Sequence, residues 1–340
     1  MVAERRKTVK MVFLRKTLII VLLLLALPMM VAQPQATLTT EQEQQFTYYW
    51  YAARQAIEEQ RYPDALALLE FCHSVKPNDG NTLTFLGLLY DSMGDKERAL
   101  THFRQAFEAD PYDQWFRYSK ALLSDGELKP AIAVLEKAYE VQKGGDKKKK
   151  IEESLLTNLQ NAYVYAQAWD KAIAMQDELD QIKGFDAYSA MMRYRIYAMA
   201  NKPKKAIAAL DQYLEQDPND LRFLIFRLEL MEQTKAKQKE LYAMYERILE
   251  IDPYNLMVLN NYAYHLATHG GDLKNAERMS AITIREDANN PVYLDTYGWI
   301  LHLQGQDELA LFYLSRAWYN ATESTKAEIE SHLRKVKGEK

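Results

Sequence analysis

The chain has 340 residues, with 43 Lys and Arg set against 47 Asp and Glu, for a formal net charge of −4. That balance argues against sequence-independent nucleic-acid binding, which depends on cationic side chains neutralising phosphates. The only cysteine, Cys72, leaves no intrachain disulfide, and no alternating apolar pattern of useful length supports a sheet.

The first element is not part of the globular chain. Arg5, Arg6, Lys7, Lys10, Arg15 and Lys16 precede an apolar run from Leu18 to Ala32, interrupted by Pro28, and polar Gln33-Pro34-Gln35 follows. A basic segment, a short apolar core and a small residue before a polar stretch form a secretory signal peptide, here residues 1–32. The run is shorter than the ~20 apolar residues a spanning helix needs. Export to the periplasm is expected, with 33–45 as a linker; retention of residues 17–32 as an inner-membrane anchor is the alternative. Cleavage would remove six positive charges and one negative, taking the net charge from −4 to −9.

From residue 46 the chain repeats itself with a period of 34 or 35. Prolines 77 and 111 are 34 apart and prolines 218 and 253 are 35 apart, each followed by turn or helix-capping residues such as Asp79, Asp220 and Asn255. A first repeat, about 46–79, carries Ala53, Tyr62, Ala65 and Leu69. The second, 80–111, has Leu86-Gly87, Tyr90, Gly94, Ala99, Phe103, Ala106 and Pro111. The third, from 112, has Trp115, Gly126, Ala131, Leu135 and Ala138; the fourth, about 153–186, keeps Leu159, Tyr163 and Ala172 but puts Gln160 where a small residue belongs. In the fifth, 187–220, Arg193-Tyr194 replaces Leu-Gly. The sixth, about 222–255, has Leu241 at an alanine position. The seventh, from about 257, recovers Ala263, Gly271 and Ala276, and the eighth, from Pro291, has Gly298, Leu301, Gly305, Ala310 and Leu314. Residues 323–337 read as one more amphipathic helix.

This order of residues resembles the tetratricopeptide-repeat (TPR) signature W-x2-L-G-x2-Y…A-x3-F…P, a helix–turn–helix of 34 residues. The resemblance covers roughly 46–322. It implies an all-α fold, a right-handed TPR solenoid of about eight helix–turn–helix repeats, with 323–340 as capping helix and tail. The small residues at repeat positions 8 and 20 let two helices approach. No repeat buries its apolar face alone, so the array needs its neighbours and a polar cap.

Chemistry is sparse. His265 and His269 are four apart on one helix, the spacing of a shared metal, and His302 is one repeat further on. The residue after His265 is Leu266, where a zinc protease has its glutamate base, and groove-lining histidines are the simpler reading. The residues offer no catalytic group, cofactor site or metal site. Cys72 reads as a small core residue. Lys147–Lys150 reads as a solvated loop or helix start.

The TPR resemblance assigns positions 2, 5, 9, 12 and 13 of each first helix to a concave groove. Counted from the repeat starts above, these include Trp50, Arg54, Phe116, Lys120, Tyr165, Arg195, Phe223, Phe226, His265 and Trp299. Aromatic and Arg side chains dominate binding hot spots. The reading is a non-enzymatic scaffold in the bacterial envelope that binds a protein or peptide in its groove. It takes no nucleic acid, and meets a membrane only through a retained signal segment. The alternative is an accessory subunit of an envelope assembly, secretion or glycan-handling complex, docking by its ends or convex face; a metal-dependent enzyme built on the histidines is the third. On the export reading, N-terminal sequencing of the native protein should begin near Gln33, and an intact residue 1–32 segment would favour the anchored form.

Overall fold

A computed structural model describes residues 38–145 and 151–339; the signal segment and the Lys147–Lys150 run lie outside the described residues. Among these residues there are seventeen α-helices and no strand. The chain divides at Ala121–Leu122 into two compact units. The first holds α1 (Thr40–Glu58), α2 (Tyr62–Val75), α3 (Gly80–Ser92), α4 (Lys96–Ala109) and most of α5 (Trp115–Ser124). The second holds α6 (Leu128–Gly144), α7 (Glu153–Tyr165), α8 (Trp169–Lys183), α9 (Ala187–Met199) and α10 (Pro203–Leu214). It continues with α11 (Leu221–Gln233), α12 (Gln238–Ile251), α13 (Leu256–Thr268), α14 (Leu273–Glu286), α15 (Pro291–Leu303), α16 (Asp307–Asn320) and α17 (Glu323–Lys337). None of these helices is long and apolar enough to cross a membrane.

Local chemistry sets the helix starts. Asp79, Asp186, Asp220, Asn255 and Asn290 each accept a backbone N–H with the side chain at the start of a first helix, which satisfies a donor the helix leaves free. Within every pair the chain then reverses through one residue with positive φ. Gly94, Gly126, Gly270 and Gly305 take it in four repeats; Gln60, Gln167, Asn201 and Lys235 take it in the others. The left-handed turn costs a non-glycine residue of order 1 kcal/mol, so tertiary packing maintains it in those four.

The two helices of a pair meet where side chains are smallest. A Cβ on Gly87 of α3 would lie 2.5 Å from the Phe103 ring of α4, and one on Gly298 of α15 would lie 2.8 Å from Leu314 of α16. Ala53 of α1, Ala263 of α13 and the alanines 65, 99, 131, 172, 206, 276 and 310 of the second helices are all buried. Cores form between neighbouring pairs. Ala53, Ala65 and Leu69 pack with Leu86 and Leu89, and Leu228 and Tyr245 pack with Val258, Tyr262 and Ala276. At the end, Ile329 and Leu333 of α17 close over Leu294 and Leu314.

Where the signature fails, hydrogen bonds replace the close contact. Gln160 of α7 is buried and donates to Gln176 of α8 at 2.8 Å; Gln176 donates to Asp180 at 2.7 Å. Asp180 also accepts from Ser189 and Arg193 of α9, so the large polar residues at two expected Leu-Gly sites form one connected network between repeats. Every buried member finds a partner, which is the condition for such a network to be tolerated. Tyr90 donates to Glu70 at 3.2 Å and Tyr163 to Glu136 at 2.7 Å, the same pairing of adjacent repeats in each unit.

Leu at Gly87 or Gly298 should overpack its helix pair and cost about 1–3 kcal/mol or more. Gly144 is the last residue of α6 rather than a loop residue, but a Cβ there meets nothing within 4 Å. Gly144→Leu should therefore stay within roughly 0.5 kcal/mol. Denaturant unfolding of the three variants checks this, and equal losses would contradict the helix-pair packing.

Candidate partner-binding face

The two units present the expected groove residues separately. In the first, Trp50 is half-buried, 6.1 Å edge-on from Phe85, with the Arg54 guanidinium 5.3 Å from its ring. Phe116 is 40 % exposed although its neighbour Trp115 is in the core, and Lys120 is exposed one turn further along α5. In the second unit, Tyr165 at the end of α7 is 77 % exposed and Arg195 on α9 is exposed.

Three of the remaining residues lie elsewhere than the repeat count places them. Phe223 is 1 % exposed and packs 4.2 Å from the Tyr213 ring, so it is core. Phe226 is half-buried against Tyr194 at 5.1 Å within the same cluster. The cause is a turn one residue longer than in the other pairs. Ala236 and Gly271 follow the positive-φ residue of the sixth and seventh repeats before the residue that caps the second helix. Counting back from Leu241 and Ala276 therefore shifts α11 and α13 by one. Starting instead from the capping residues Asp220 and Asn255 gives Leu221 and Leu256 as first positions. Glu229 and Tyr264 then stand at position 9, in place of Leu230 and His265, and Leu230 is buried. The capping residues carried this signal in the sequence.

Trp299 keeps its position but not its openness. Its ring stacks on His332 of α17, centroids 4.3 Å apart and planes 19° apart, and the Lys335 ammonium lies 5.1 Å from it. The capping helix therefore lies along the groove side of α15. There it helps line a cavity of about 250 Å³ with Glu232 of α11, Asn260, Asn261, Tyr264 and His265 of α13, Asp295 of α15 and its own Glu328.

The histidines do not converge as a triad. His265 stacks on His269 at 4.9 Å, and burial, then the neighbouring His269, holds its imidazole below the usual histidine range. His302 pairs instead with Asp307, Nδ1 to Oδ1 2.6 Å. Among the described residues, the set of three potential ligands whose atoms lie within 4.8 Å of one another is Asp295, Glu328 and His332. Cys72 is fully buried, and burial pushes its thiol up to about 11, far from a reactive thiolate.

Tetratricopeptide-repeat family models match residues 81–113 in the first unit and 195–255 in the second. The second match spans the fifth and sixth repeats, while the better-kept seventh and eighth lie beyond it. No curated protein matches the sequence. Among solved structures, a tetratricopeptide repeat protein from Parabacteroides merdae is similar at 12% identity and TM-score 0.41, over 86% of this chain and 99% of that one. The C-terminal part of a TPR repeat-containing protein from Cytophaga hutchinsonii is similar at 16% identity and TM-score 0.49, over 73% of this chain and 98% of that one. With helix pairs recurring along the described residues and a family match in each unit, the chain carries tetratricopeptide repeats, which in general serve protein–protein interaction.

Proposed function

We propose that the protein is a non-enzymatic scaffold of the bacterial envelope that binds a protein or peptide along the groove side of its first helices. The observation that supports this most is the pair Phe116 and Tyr165, large rings left in solvent at groove positions 5 and 13. Leaving such a ring exposed forgoes roughly 1.5–3 kcal/mol of burial each, which stacking of repeats alone does not require. Arg54, Lys120 and Arg195 stand on the same faces and suit an acidic or carboxylate-bearing partner. The envelope location rests on residues 1–32, whose basic and apolar segments fit a signal peptide.

A specific observation favours a second reading, docking by the last repeat. Leu309, Phe312 and Tyr319 of α16 are exposed, on the helix opposite the groove. Phe312 and Tyr319 line a shallow depression of about 700 Å³ together with Leu311 and Arg316. An exposed apolar patch of this kind suits attachment to a larger assembly.

Alanine at Phe116 or Tyr165 should weaken capture of the partner that co-purifies from native envelopes by at least about 1 kcal/mol, roughly fivefold, with little change in melting temperature. Trp299→Ala should do the reverse and lower the melting temperature, because its ring supports α17. If Phe312→Ala and Leu309→Ala abolish capture while the groove variants bind normally, the second reading replaces the first.

A further inference from the structure

We propose that Asp295 of α15 and Glu328 and His332 of α17 form a zinc site that fastens the capping helix to the last repeat. The site is independent of whether the groove binds a peptide. Glu328 and His332 are four residues apart on one helix, so both side chains project from the same face toward α15. Their ligand atoms and that of Asp295 lie within 4.8 Å of one another. His332 Nδ1 is 2.9 and 3.0 Å from the two Asp295 oxygens. Ligands about 2.0–2.2 Å from zinc sit about 3–3.5 Å from each other, so only a small opening of this pair admits the ion.

The surroundings are those of a built site. The Asp295 and His332 side chains are 8% and 6% exposed and face each other across the α15–α17 contact. The imidazole plane is held by the stacked Trp299 ring, and the Tyr264 hydroxyl donates to Glu328 at 3.4 Å, an outer contact of the sort that orients a ligating carboxylate. The adjoining cavity gives the ion an open side. Asn260 lines that cavity, is 3% exposed, and its Oδ1 has no hydrogen-bond partner. Two carboxylates and one imidazole match the mixed O/N preference of zinc. Calcium takes six to eight oxygen ligands and magnesium keeps most of its waters, so neither fits this donor set as well.

The test uses the full mature chain, stripped with chelator and titrated with zinc chloride by calorimetry, with metal content and melting temperature measured in parallel. The expected result is one zinc per chain and a melting temperature raised by several degrees. Magnesium and calcium at the same concentration should give neither effect. Glu328→Gln, at an exposed position that leaves the Asp295–His332 pair intact, should fold normally and lose at least tenfold in zinc affinity. His269→Ala should bind zinc as the parent does. Absence of zinc binding would overturn the proposal and leave Asp295 and His332 as a buried hydrogen-bonded pair. Binding that survives Glu328→Gln but is lost in His269→Ala would overturn it too, by moving the ion to the His265–His269 pair.

Discussion

The structure depends on how closely two helices approach inside each repeat. An amphipathic helix pair of some 30 residues has too little apolar surface to fold alone, so it must present a flat, continuous face to its neighbour. Gly87 against Phe103 and Gly298 against Leu314 bring the helix axes near enough for that face to form. A residue with positive φ in every pair sets the reversal that aims the second helix back along the first. On the first helices Phe116, Lys120, Tyr165 and Arg195 stay exposed, whereas Trp299 is covered by α17.

Not every repeat uses small residues for this purpose. Between α7, α8 and α9 the Gln160–Gln176–Asp180–Arg193 network spans what glycine and leucine fill elsewhere. Such a network is sensitive to loss of any one member, since the remaining groups stay buried without partners. It also fixes register, because a one-residue slip separates all of its donors from their acceptors. The second unit thus combines apolar stacking at its C-terminal repeats with polar specification nearer its start.

Most of the fold was legible in the sequence because the TPR consensus is physical: small residues at approach points, aromatics beside them, a capping Asp or Asn at most first helices. The eight pairs and the closing helix at 323–337 follow from it. The sixth and seventh repeats were read one residue out, because an added residue in the turn, Ala236 or Gly271, breaks the count from the second helix but not from the capping Asp220 or Asn255. Phe223 thereby moved from groove to core. Trp299 was missed for a different reason. Its groove position is correct, but nothing local says that α17 folds back over it. The Asp295–Glu328–His332 cluster was invisible for the same reason, since its parts lie 37 residues apart at the extremes and only tertiary docking joins them.

The capping helix covers Trp299 of α15, while earlier first helices, taken unit by unit, still carry exposed rings and cations. Phe116 and Lys120 in the first unit, and Tyr165 and Arg195 in the second, leave apolar surface and charge exposed on these helices. Hydrogen–deuterium exchange of the protein, alone and with its co-purified partner, tests this most directly. The account predicts slowed exchange concentrated in α5, α7 and α9, with the second helices of the pairs unchanged; protection confined to α16 and the other second helices would contradict it.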